Sequence, residues 1–112
     1  MIYSYPGQPS APVQFKAKYD NFIGGKWTPP VKGEYFDNIT PVTGQVYCQA
    51  ARSTAEDVEL ALDAAHAAAD QWGKTPAADR SNILLKIADR IEQNLELLAY
   101  AETVDNGKPI RE

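Results

Sequence analysis

The sequence has one cysteine and one histidine, Cys48 and His66, and no run of Lys or Arg. A single cysteine excludes an intrachain disulfide and any cysteine-rich zinc site, and a free thiol suits a reducing compartment. The lone cysteine and the lone histidine fall in different predicted elements, so they cannot start a metal-ligand set together. Eleven basic against fifteen acidic residues give a formal net charge of -4. That balance excludes the basic stripe needed to track a phosphate backbone, so nucleic acid is not an expected partner. No uncharged apolar run approaches the ~20 residues that span a bilayer. The opening "MIYSYPGQPSAPVQF" has no basic stretch followed by an apolar one, so it does not read as a signal peptide. Together these absences predict a cytoplasmic chain with neither membrane nor nucleic acid among its partners.

What is present suits one globular unit. The chain has 112 residues, 44% apolar and 23% charged, enough for a single thin-cored domain. Residues 1–18 read as an N-terminal arm: Pro6, Pro9, Pro12 and Gly7 interrupt any period. From Tyr19 the pattern turns to short strands. "NFIGGKW" is an apolar stretch broken by Gly24-Gly25, a hairpin signal. "YFDNI" reads as a strand, "TPVTGQ" as a turn, and "VYCQAARS" as a strand that alternates Val46, Cys48 and Ala50 with Tyr47, Gln49 and Ala51. The expected unit is a small antiparallel β-meander.

At Ser53 the period changes from two to about 3.6. In "STAEDVELALDAAHAAADQW", Ser53 precedes Glu56 and Thr54 precedes Asp57 by three residues; either pair can form a capping box. Val58, Leu62, Ala65, Ala69 and Trp72 fall on one narrow helical stripe, which Gly73 is expected to end. A second helix is expected to start with Thr75 as N-cap and Pro76 at its first position. Ile83, Leu84, Ile87, Ala88, Ile91 and Leu95 form its apolar face, and Asn94 marks a kink or a break. Gly107 followed by Pro109 is the glycine-then-proline stop of a helix C-terminus. Strands followed by an antiparallel helical pair is the predicted architecture.

Chemistry-bearing residues are few. His66 lies on the polar flank of the first helix with Glu59, Asp63 and Asp70, and is expected to face solvent. Cys48 sits mid-strand with no base or helix N-terminus beside it, and is expected to behave as a small core residue rather than a nucleophile. Gly24-Gly25 lacks the three spaced glycines of a dinucleotide loop. Asp105 occupies the last turn of a helix, where unpaired carbonyls already carry negative charge. Its carboxylate calls for an offset: a cation, Lys108, or N–H groups of its own turn.

In combination, "NFIGGKW", "ITPVTG" at Ile39–Gly44, Thr54 before an acidic helix start, and "ETVDNGKP" after a leucine-rich helix resemble the N-terminal portion of an NAD(P)-dependent aldehyde dehydrogenase. The resemblance runs from about Tyr19 onward, and "PVKGEYF" is similar to the acetaldehyde-oxidising bacterial branch. Thr40 stands where the family usually has Asn. The fold it implies is α/β, locally α+β. N-terminal strands and a two- to three-helix unit would belong to the Rossmann-like cofactor domain, with residues 19–112 its incomplete front. The implied parent reaction oxidises an aldehyde to the acid with NAD or NADP in a homo-oligomer, a dimer or tetramer. The nucleophilic cysteine, the base and the cofactor contacts would lie downstream, so no catalytic or cofactor-binding residue is expected here and the chain alone is expected to be inactive. The resemblance also implies a weak monovalent cation site, Na+ or K+, at Asn38, Ile39 and Asp105. The competing expectation is a free-standing helical interaction module.

Overall fold

The computed structural model describes residues 3–112. Five strands precede three helices: β1 (Lys18–Tyr19), β2 (Asn21–Ile23), β3 (Lys26–Thr28), β4 (Tyr35–Ile39), β5 (Val46–Ala51), α1 (Ala55–Lys74), α2 (Ala77–Gln93) and α3 (Leu95–Asn106). They fall into two compact units. One combines the segment up to Tyr19 with Tyr35–Ala50 and Asn94–Glu112; the other combines Asp20–Glu34 with Ala51–Gln93.

In the first unit β1, β5 and β4 form a sheet in that order. The six-residue connection between β4 and β5 is far too short for a parallel crossover, so these neighbours form a hairpin. β1 runs parallel to β5, with Lys18 opposite Gln49 and Tyr19 opposite Ala50. β2 and β3 form a separate two-stranded sheet. The expected meander is therefore not formed: a strand beginning inside the predicted arm pairs in parallel across the sequence. No local turn marks such a pairing.

Cys48, Tyr100 and Val104 are the buried hydrophobic residues of this unit, joined by Thr40 at 1% exposure. The Thr40 hydroxyl donates to the Val104 carbonyl at 2.5 Å. That carbonyl belongs to the last turn of α3 and has no partner within the helix. α3 then ends on Gly107 in the left-handed conformation, φ 79°, whose N–H donates to the Thr103 carbonyl at 2.8 Å. The arm lies against α3 and β5. Tyr100 donates to the Ser4 carbonyl at 2.7 Å and Tyr3 to Glu96 Oε1 at 2.9 Å. Phe15 meets the Tyr47 ring edge-on, 4.9 Å between centroids.

In the second unit β2 and β3 pair Asn21 with Thr28, Phe22 with Trp27 and Ile23 with Lys26. Gly24 and Gly25 turn the hairpin with φ 60° and 81°, the doubly positive backbone that favours glycine. α1 begins at N-cap Thr54, whose N–H donates to Asp57 Oδ2 at 2.8 Å. Asp57 Oδ1 also accepts from the Val31 N–H at 2.8 Å, tying the loop before β4 to the helix start. Of the two possible capping boxes, Thr54 with Asp57 is the one used.

Gly73 does not end α1, which continues through Lys74. The stop is Thr75, extended at ψ 131°, because the following Pro76 disfavours the helical conformation there. The Thr75 hydroxyl donates back to the Gln71 carbonyl at 2.9 Å. It closes α1 rather than capping α2, which starts one residue after Pro76. α2 buries none of its residues, and Asp57 is the buried residue of α1. Both apolar stripes of the expected helical pair are exposed, from Val58 and Trp72 to Ile83, Leu84 and Ile91. Asn94, at φ -118° and ψ 21°, makes a true break between α2 and α3.

Candidate functional site

The most concentrated polar cluster joins three elements of the first unit: Asn38 on β4, Tyr47 on β5 and Asp105 in the last turn of α3. The Tyr47 hydroxyl donates to Asp105 Oδ1 at 2.7 Å, the short distance of a charge-assisted bond. Asn38 Nδ2 donates to the same oxygen at 3.0 Å and to the Tyr47 hydroxyl oxygen, also at 3.0 Å. An amide NH2 has two hydrogens and a phenol can both donate and accept, so the triangle closes with every donor used.

This arrangement answers the charge conflict at the helix end. The Tyr47 hydroxyl, and after it the Asn38 amide, hold the Asp105 carboxyl below its ordinary range. Burial, with the bond to Asp105 second, pushes the Tyr47 hydroxyl well above its ordinary value. The turn's own Lys108 N–H does not supply the offset, since it donates to Asn106 Oδ1 at 2.8 Å.

As chemistry the cluster is closed. It has a neutral phenol and an ionised carboxylate, and the adjoining thiol of Cys48 is 7% exposed. Burial raises that thiol above its ordinary value, which disfavours the reactive thiolate. His66 is exposed on α1, as expected. Among the described residues no three His, Cys, Asp or Glu side chains converge as metal ligands. Of the candidate cation ligands, Asn38 and Asp105 are in contact, whereas Ile39 ends β4 as an exposed residue. The Asn38–Asp105 contact uses the amide nitrogen, a donor that cannot ligate a cation. Both donors land on Oδ1, so Oδ2 is the carboxylate oxygen left for an ion. Carboxylate and carbonyl oxygens suit a hard alkali cation in kind.

Residues 27–112 match the aldehyde dehydrogenase family. The chain belongs to that family. It is 72% identical over 110 residues to an aldehyde dehydrogenase of Deinococcus radiodurans, covering 98% of this chain and 21% of that protein. With an acetaldehyde dehydrogenase of Pseudomonas aeruginosa it shares 66% over 112 residues, covering all of this chain and 22% of the relative. The solved structure of an indole-3-acetaldehyde dehydrogenase complexed with NAD+ superposes with a TM-score of 0.81 at 37% identity, covering 87% of this chain and 20% of that one. The chain thus spans about a fifth of the length of the curated aldehyde dehydrogenases it matches.

Within this aldehyde dehydrogenase segment, Tyr47 is the site residue that sequence reasoning missed. The available signal was its place on the face of β5 opposite Cys48, a phenol among polar neighbours. No helix among the described residues is long and apolar enough to cross a membrane.

Proposed function

We propose that this chain serves as scaffold in an enzyme that oxidises an aldehyde to the carboxylic acid while reducing NAD or NADP. In this reading residues 1–18 are an arm and 19–112 the front of the nucleotide-binding domain. The observation that carries it is the 72% and 66% identity to an aldehyde and an acetaldehyde dehydrogenase over nearly the whole chain. The identity to an acetaldehyde dehydrogenase supports a short aliphatic aldehyde as the substrate. A cytoplasmic homo-oligomer is the assembly we propose. A free-standing interaction module would not call for such identity to enzymes several times longer.

The test compares the purified 112-residue chain with the complete product of its gene, following aldehyde-dependent formation of NADH and NADPH by absorbance. The complete product should turn over acetaldehyde with one of the two cofactors, and the chain alone with neither. Turnover by the chain alone would overturn the scaffold assignment; a complete product inert toward aldehydes would overturn the activity.

A second proposal concerns Na+ or K+ held by the Asn38 and Ile39 carbonyls and Asp105. The observation favouring it is a carboxylate at the negative end of α3 whose two hydrogen-bond donors both occupy Oδ1. Thermal stability of the complete protein should rise in potassium or sodium relative to a bulky organic cation, and Asp105→Ala should remove the difference. Equal melting in all three salts would end the idea.

A further inference from the structure

We draw no further inference here: the strongest candidate, the exposed apolar face of α2 formed by Ile83, Leu84, Ile87 and Ile91, carries nothing because nothing in the structure shows what covers it.

Discussion

Single residues decide how α3 is held. Asp105 is the costly one, a carboxylate where the helix dipole is negative, and Tyr47 and Asn38 offset that cost by converging on one oxygen. The pH dependence follows from the two shifts. The Asp105 carboxyl is held below its ordinary 3.8, so its contribution is complete above about pH 4 and fades as pH falls through the folded value. The Tyr47 hydroxyl is raised above its ordinary 10.0, so its contribution is complete below about pH 10 and is lost as pH rises through the folded value. Tyr47→Phe should therefore lower stability by about 1 kcal/mol at neutral pH, little because Asp105 is exposed. It should also weaken both pH arms and return the Asp105 carboxyl toward its ordinary value in a carbon-13 NMR titration. An unmoved Asp105 titration would show that the phenol does not hold the carboxylate. Two glycines make a sharper contrast. Gly107 has φ 79°, and an added Cβ would lie 3.1 Å from Pro41 Cγ. Gly73 is helical and its Cβ would meet nothing within 4 Å. Gly107→Ala should cost about 1–2 kcal/mol and Gly73→Ala should gain about 0.5–1 kcal/mol, read as opposite shifts of Tm by circular dichroism.

At the scale of elements, stops and starts are set by short-range chemistry, whereas pairings are not. Asp57 shows the first. It is 3% exposed, accepts the Thr54 and Val31 N–H groups, and those two bonds, Thr54 first, hold its carboxyl below the ordinary range. Asp57→Ala should lower Tm by several degrees and Asp57→Asn by less, since the amide keeps one acceptor oxygen. The difference between Asp57→Ala and the native chain should shrink as pH falls through the native carboxyl's folded value, because protonation removes the charge that strengthens both bonds and leaves one good acceptor oxygen. Melting curves across acidic pH check this. The capping box was legible to within one residue, since Ser53 with Glu56 and Thr54 with Asp57 share the same i, i+3 spacing; the hairpin was legible because two glycines interrupt an apolar run. Asn94 and Gly107 likewise announce breaks through their own conformational preferences. Gly73 misled because a glycine is tolerated in a last turn, and the decisive signal was Pro76 acting on Thr75. The parallel pairing of β1 with β5 was not legible, since a two-residue strand has no period and its partner lies far along the chain. The Asn38–Tyr47–Asp105 triangle was half legible. The charge conflict at Asp105 could be read locally, but its main donor comes from another element.

For the whole molecule, the imbalance between apolar surface and burial governs behaviour. Cys48, Tyr100 and Val104 are the buried hydrophobic residues among those described, while α2 exposes Ile83, Leu84, Leu85, Ile87 and Ile91. Contiguous apolar surface of this kind drives association in water, and α2 carries it on a helix with no buried residue of its own. The isolated chain is therefore expected to self-associate in a concentration-dependent way in sedimentation velocity runs. Polar substitution separates this cause from general misfolding. Ile87→Lys, or Leu84→Glu with Ile91→Lys, removes apolar surface from exposed positions where no described side chain loses a buried partner. Such variants should retain their helical circular dichroism and shift toward the monomer. An exposed control on the polar flank of α1, His66→Gln, should leave association unchanged. If the α2 variants keep their helicity and still associate as the native chain does, this face is not the cause. A compact native monomer across the concentration range would dispose of the idea more directly.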